Sequence, residues 1–308
     1  MPSHHVVILL ATYQGAAHLQ QQLDSLAAQT HADWSLIASD DGSTDDTPAI
    51  LARFAEAHPR GRVRIVPGPR AGATANFLSL LEQVPEGAFA AFCDQDDLWF
   101  PPKLQRAVAA LADLTGPGHY AARTIITDAH LTPLTPSRRF LRPLSFRNAL
   151  VQACMAGNTS VFDPQAVRLL QRAAPDARRA GILSHDWWAY QVTAGHGATL
   201  IHDPEPSLLY RQHARSEVGR NDTLPALAAR LRQLMAGDFG NWMRANHDSL
   251  APLDLTQDAR RTLVHLRDAL TAHAPQAVMA LRRGGFYRQT RAGTAALYLS
   301  AMAGRLKG

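Results

Sequence analysis

The sequence predicts an α/β fold: a doubly wound, mostly parallel sheet flanked by helices, with an all-helical C-terminal extension. Three observations predict it. Short apolar runs, among them Val6–Leu10, Trp34–Ala38, Val63–Val66 and Phe89–Cys93, alternate with segments whose apolar residues recur at helical spacing. Turn-forming or acidic residues follow the first, second and fourth runs, as at Ala11-Thr12-Tyr13-Gln14-Gly15, Asp40-Asp41-Gly42-Ser43 and Asp94-Gln95-Asp96-Asp97. From about Pro225 onward only helical periodicity remains.

The elements follow in order. His5 to Ala11 reads as a buried parallel strand, and Leu19, Leu23 and Leu26 give the next helix its apolar face. Trp34–Ala38 is a second strand. Ser43 with Asp46 fits a capping box, opening a helix whose stripe is Ile50, Leu51 and Phe54. Arg62–Val66 is a third strand, Gly68 to Gly72 a loop, and Asn76, Phe77, Leu80 and Leu81 a helix. After Phe89–Cys93, Pro101 and Pro102 suit the first turn of a helix through Leu104, Val108 and Leu111. Thr124–Thr127 reads as a strand and Thr132 to Pro143 as an exposed loop. Thr159–Phe162 and Ala198–Ile201 read as strands flanking a helix through Trp187 and Tyr190, and Tyr210 to His213 ends a strand-like run. One late helix carries Leu227, Leu231 and Leu234, another Leu263, Leu266 and Leu270. No internal repeat or low-complexity segment interrupts the chain.

At 308 residues the chain can bury a substantial core. Hydrophobic residues make up 46% and charged residues 19%, as in folded soluble proteins. Two cysteines give no disulfide framework, and Cys93, inside an apolar strand, reads as a buried thiol in a reducing compartment. The opening Met1-Pro-Ser-His-His lacks a signal pattern, and no apolar run reaches the roughly 20 residues that span a bilayer. The expected location is cytoplasmic, including the inner face of the membrane. The net charge of +5 is uneven: Arg282, Arg283, Arg288, Arg291, Arg305 and Lys307 follow the last acidic residue, Asp268. The remaining residues balance, 25 basic (31 less these six) against 26 acidic. No nucleic-acid partner is expected of the main body.

The chemistry concentrates at the strand ends. Asp94 and Asp96 point the same way along an extended segment and can hold one hard cation, Mg²⁺ or Mn²⁺, with a phosphate among its other ligands. The competing reading is a solvated acidic loop. Asp41 can accept the imide N–H of uracil or thymine, or serve as an acidic turn before a helix. Asp186 in Ser184-His185-Asp186-Trp187-Trp188 is a candidate general base whose apolar neighbours would raise its pKa; it equally suits a helix start capped by Ser184. Arg211 can pair with a diphosphate and His213 can ligate metal or donate to phosphate. Phe286 to Met302 mixes arginines, tyrosines and apolar residues. That mixture fits either a helix at an anionic lipid interface or one packed on the domain, since the apolar residues wrap round it. The first turn lacks a dinucleotide-binding glycine fingerprint, which argues against a nicotinamide or flavin enzyme. It also lacks the Gly-rich, Arg- and Lys-bearing loop of a nucleotidyltransferase.

Taken in order, Ala11–Gly15, Gln29-Thr30, Asp40–Ser43, Asn76-Phe77, Cys93–Trp99, Gly157-Asn158-Thr159, His185–Trp188 and Tyr210–His213 resemble the family-two inverting glycosyltransferases, rhamnosyltransferase-like branch. The likeness runs from about Val6 to Gly219. It implies a glycosyltransferase-A fold with a catalytic domain at 1–222, divided into a nucleotide-binding half (about 1–128) and an acceptor half (about 129–222), then a helical region at 223–308 with a basic tail. It implies that Ala11 (through its backbone), Tyr13 and Asp41 hold the base, and that Thr12, Arg70, Asn76, Asp94, Gln95 and Arg211 also serve the nucleotide sugar. Asp94, Asp96 and His213 would hold Mg²⁺ or Mn²⁺, with Asp96 the preferred direct ligand. Asp186 matches the catalytic base, with His185, Trp187 and Trp188 on the acceptor side. The implied donor is a nucleoside-diphosphate sugar, dTDP-rhamnose before a UDP-sugar, and the acceptor a lipid-linked saccharide of a surface polysaccharide. The basic tail would supply a peripheral membrane contact. The alternative is a sugar-nucleotide-binding scaffold without catalysis. Gln14 stands where the family usually has Asn, and Arg215-Ser216 replaces the Asn-rich residues often seen after the Arg-Gln-His motif.

Overall fold

Continuous apolar runs with β-branched and aromatic side chains form strands here because both faces of the sheet are covered. The computed structural model describes residues 4–212 and 238–307. Strands β1 (Val6–Thr12), β2 (Trp34–Asp40), β3 (Val63–Pro67) and β4 (Phe89–Cys93) are joined by helices α1 (Leu19–Ala27), α2 (Thr47–Glu56) and α3 (Ala73–Leu81). A short β5 (Leu98–Trp99) leads into α4 (Lys103–Leu111), β6 (Gly118–Thr127) and β7 (Pro133–Pro136). After α5 (Phe146–Ala149) and a 3₁₀ turn at Gly157–Thr159 come β8 (Val161–Phe162), α6 (Pro164–Ala180), α7 (His185–Gly195) and β9 (Thr199–Arg211). The described chain ends in α8 (Asp238–Leu250), α9 (Gln257–Thr271), α10 (Ala274–Gly284) and α11 (Arg291–Met302).

The nine strands form one sheet in the order β3-β2-β1-β4-β8-β6-β9-β5, with β7 added beside β6. β1 runs parallel to β2 and β4, and β2 to β3. β8 is antiparallel to both β4 and β6, whereas β6 and β9 are parallel. On one face Val6, Ile8, Leu10, Leu36, Ala91 and Cys93 pack with Leu23, Phe54, Leu104 and Leu111. On the other, the Phe92 ring lies between Phe77 of α3 and Phe162 of β8, with centroids 5.2 and 5.0 Å away. Alternate residues of β1 and β4 therefore enter two cores, as a doubly wound sheet requires.

Two compact units are formed. One draws on Met1–Arg139, Met155–Ala174 and Ala198–His213 and contains the whole sheet. The other draws on Phe140–Cys154, Pro175–Gly197 and Ala214–Gly308. These units cut across residue 222: residues 140–154 and 175–197 group with the C-terminal helices. No helix among the described residues is long and apolar enough to cross a membrane.

Several local expectations change. The Ser43–Asp46 capping box does not form: α2 starts at Thr47 after Asp46, without a side-chain cap. Ser43 Oγ instead donates to Asp40 Oδ1 at 2.6 Å, and Asp45 takes the amides of Ala16 and Thr47. The segment read as a loop at 132–143 contains β7, an edge strand that tolerates Pro133 and Pro136 because the sheet ends there. Within Thr159–Phe162 the strand is Val161–Phe162, since Thr159 closes the 3₁₀ turn. The strand at Ala198–Ile201 is the start of a 13-residue β9. The helix expected through Leu227, Leu231 and Leu234 lies outside the described residues.

Candidate functional site

Parallel register brings three strand ends together in the first unit. Ala11 stands beside Ser39, Thr12 beside Asp40, and Leu10 beside Cys93. The loops starting at Tyr13, Asp41 and Asp94 therefore leave from adjacent strands, on the carboxyl edge where open α/β sheets bind ligands. β2 lies on one side of β1 and β4 on the other, so the topological switch point falls between β1 and β4.

Hydrogen bonds knit these loops. Thr12 Oγ1 donates to Asp40 Oδ1 (3.0 Å), and Asp40 Oδ2 accepts from the amide of Ser43 (2.9 Å). The Tyr13 amide donates to Gln95 Oε1 at 2.9 Å, while Gln95 Nε2 donates to the Tyr13 carbonyl at 3.0 Å. Tyr13 itself is 57% exposed. Gln14 adopts a left-handed φ of 49°, which Asn adopts more readily; its Oε1 accepts from the amides of Thr44 and Asp45.

Asp41 is buried, and its two oxygens accept the amides of Arg70 (2.6 Å) and Gly72 (2.8 Å). It fastens the 68–72 loop onto the end of β2. Each carboxylate oxygen has a second lone pair, which is the acceptor capacity a pyrimidine imide would use. Arg70, at φ 57°, lays its side chain beside Gly42. Asn76 is buried in α3 and donates from Nδ2 to the Ser39 carbonyl at 3.0 Å.

The carboxylates after β4 divide in two. Asp94 and Asp96 are half-buried, whereas Asp97 is fully buried. Asp97 Oδ2 accepts from Asn158 Nδ2 (2.6 Å) and Oδ1 from the Arg211 amide (3.3 Å). Burial pushes its pKa up to about 8, with the charge of Asp96 adding to the rise, against Asn158, the Arg211 amide and Lys103. Arg211 is also buried; its Nε donates to the Asp96 carbonyl at 2.9 Å, and its other nitrogens reach Ala129 and Gln21. Arg211 thus braces the Asp96–Asp97 backbone. Below lies Lys103, fully buried, its Nζ 3.3 Å from the centroid of the Trp99 ring and without a hydrogen bond among the described residues. Burial brings that ammonium down to about 7, against the pull of Cys93, Asp97 and Asp94.

No group of three or more His, Cys, Asp or Glu side chains suited to a metal converges among the described residues. Asp94 and Asp96 offer two hard oxygen donors on one strand end, and a hard cation commonly completes its shell with phosphate and water, so these residues fit Mg²⁺ or Mn²⁺. His213 lies outside the described residues.

In the second unit, Ser184 caps α7, its side chain accepting from the Trp187 amide. Asp186 sits in the first turn, where its Oδ1 accepts from the Trp187 amide (2.7 Å) and from Ser184 Oγ. Burial holds the His185 imidazole neutral, its pKa near 4, against the opposing charge of Asp186. Trp187 donates from Nε1 to the Ala149 carbonyl (2.6 Å) and stacks on Phe239, and Trp188 is fully buried. The resemblance puts both tryptophans on the acceptor side, and the capped helix start puts them in the core. Both pack inside the unit, where α7 meets α5.

Asp97, Asn158 and Lys103 form a buried polar cluster that the sequence did not single out. Lys103 had one signal: with Ala107 and Leu111 it recurs at a spacing of four on the inward stripe of α4.

Residues 7–167, about half of the chain, match the sequence profile described as Glycosyl transferase family 2. The dTDP-rhamnosyl transferase RfbG of Shigella flexneri is 28% identical over 229 residues, 72% of this chain and 78% of that protein. An uncharacterized protein of Mycobacterium tuberculosis is 30% identical over 212 residues, 67% of this chain but only 58% of that protein. In fold, the chain is similar to S. aureus TarS 1-349 in complex with UDP-GlcNAc (TM-score 0.60, 15% identity, 99% of this chain and 88% of that one). It is also similar to mannosyltransferase PcManGT from Pyrobaculum calidifontis in complex with GDP-Man and Mn²⁺ (TM-score 0.53, 20% identity, 99% and 88%).

Proposed function

This chain belongs to glycosyl transferase family 2, and from that premise we propose an inverting rhamnosyltransferase that moves rhamnose from dTDP-rhamnose to a hydroxyl of a lipid-linked saccharide. The 28% identity to a dTDP-rhamnosyl transferase supports the sugar and the base. The observation that carries the reading is the adjacency of the β1, β2 and β4 ends, which sets Tyr13, Asp41 and the Asp94–Asp96 pair around one switch point. In this reading residues 1–128 bind the nucleotide and 129–222 serve the acceptor.

The residues have separate tasks. Tyr13 offers an exposed ring for the base to lie against, and Asp41 accepts from the pyrimidine imide N–H. Asp94 and Asp96 would hold Mg²⁺ or Mn²⁺, which when bound offsets the negative charge that gathers on the departing diphosphate. Asp186 removes the proton from the acceptor hydroxyl as that oxygen attacks the anomeric carbon. The bond from that carbon to the diphosphate oxygen breaks, the electron pair leaves with dTDP, and the configuration inverts. Ser184 and the Trp187 amide fix the Asp186 side chain for this task.

A thermal-shift panel of dTDP, UDP and GDP, with and without Mn²⁺, tests the donor side. Binding to the folded state raises the melting temperature by more the further the ligand concentration exceeds its dissociation constant, so at equal concentration dTDP is expected to give the largest rise and Mn²⁺ to enlarge it. No rise with any nucleotide would remove the reading. A rise with nucleotide but no turnover with any acceptor would favour the scaffold.

A further inference from the structure

The apolar residues that wrap round the last helix resolve into two faces. Leu297 and Ala301 of α11 are buried, and Leu306 follows them into the core. Arg291, Ala292, Ala295, Leu299 and Met302 are exposed and fall on the opposite side of the helix, at spacings of three and four. Leu299 is 68% exposed and Met302 52%. The preceding helix repeats the arrangement: Met279 of α10 is 49% exposed, and Arg282 and Arg283 stand three and four residues after it on the same face.

We infer that these outward faces of α10 and α11 form a docking surface for an anionic lipid bilayer. Charge selects the partner. Residues 269–308 hold six cations and no carboxylate side chain. Such a segment is drawn to a negatively charged leaflet, and leucine and methionine between the arginines can enter the headgroup boundary. A second copy of this chain would bring the same cations against each other. A nucleic acid would leave Leu299 and Met302 without a partner, since neither stacks on a base.

The surface is held in place by the fold. Tyr287 Oη donates to the Pro143 carbonyl at 2.6 Å and lies 2.8 Å from Ser145 Oγ. The Gln289 amide donates to Gln152 Oε1 (2.7 Å), and the Arg142 amide to Gln289 Oε1 (3.0 Å). Deleting the tail would expose the core that Phe286, Leu297 and Leu306 fill. Point changes on the outward faces are therefore the informative variants.

Flotation of the full chain with phosphatidylcholine vesicles, with and without phosphatidylglycerol, reads the binding directly. The wild type is expected to float only with the anionic vesicles, and less as salt rises. The double variant Leu299→Asp, Met302→Asp should lose about tenfold in the floated fraction, and Arg282→Glu, Arg283→Glu a comparable amount. Both should keep the wild-type melting temperature, because the replaced side chains face outward. Failure of the wild type to float, equal flotation of the variants, or a wild-type dimer in sedimentation that the same variants dissolve would each overturn the assignment. Vesicle binding needs neither donor nor metal, so its failure leaves the transferase reading standing.

Discussion

Gln95 grips the peptide of Tyr13 in both directions, accepting its N–H at 2.9 Å and donating to its carbonyl at 3.0 Å. This pair joins the loop after β1 to the loop after β4 across the switch point. It needs Gly15: a Cβ there would fall 2.2 Å from Gln95 Oε1. Gln95→Ala and Gly15→Ala should each weaken dTDP binding by about 1 kcal/mol, because either one frees the Tyr13 peptide. The double variant should be no weaker than either single one, since both remove the same contact. Calorimetric titration of the four proteins checks this.

Asp41→Ala should affect both stability and binding. It strands the amides of Arg70 and Gly72, which no other side chain satisfies among the described residues, at about 1–3 kcal/mol for a buried unmade hydrogen bond. Urea denaturation should show the loss without nucleotide, and titration should show dTDP binding abolished. Asp41→Asn should recover only part, because its NH₂ would face one of the two donors.

Lys103→Met should stabilise the protein near neutral pH. The folded pKa, about 7, lies below the ordinary 10.5, so the lysine's contribution is fully present above pH 10.5 and is lost as pH falls through about 7. The variant should exceed the wild type by more than about 1 kcal/mol at pH 7, with the gap closing as the pH climbs toward 10.5. Chemical denaturation at a series of pH values checks the sign.

Asn158→Ala removes a buried donor from Asp97 and leaves that carboxyl, among the described residues, with the Arg211 amide as its hydrogen-bond donor. A loss of about 1–3 kcal/mol is expected. Asn158→Asp should be worse, since it sets a second carboxyl against the first. Melting temperatures order the three proteins.

The sheet was legible where the physics is local. Val6–Leu10 and Phe89–Cys93 are continuous apolar runs, and parallel strands covered on both faces read that way. β9 was half legible because His202-Asp203-Pro204-Glu205-Pro206 resembles a loop. The strand tolerates it because its register against β6 shifts there and Asp203 accepts from Tyr120 and Arg106. The strand-end carboxylates Asp41, Asp94 and Asp96 were legible from their position after apolar runs. The separate fate of Asp97 was not, because its partners, Asn158 and Arg211, lie 61 and 114 residues further along the chain. The helix start capped by Ser184, with two apolar tryptophans after it, was legible as core, but the partners of Trp187, Ala149 and Phe239, were not, since both are distant in sequence.

The most direct test of the transferase account is the turnover of Asp186→Asn, followed as dTDP released from dTDP-rhamnose in the presence of extracted lipid-linked saccharides. Loss of a general base predicts a fall of about 10²–10⁴-fold. Turnover within a factor of about two of the wild type, less than even a weak general base supplies, would contradict it.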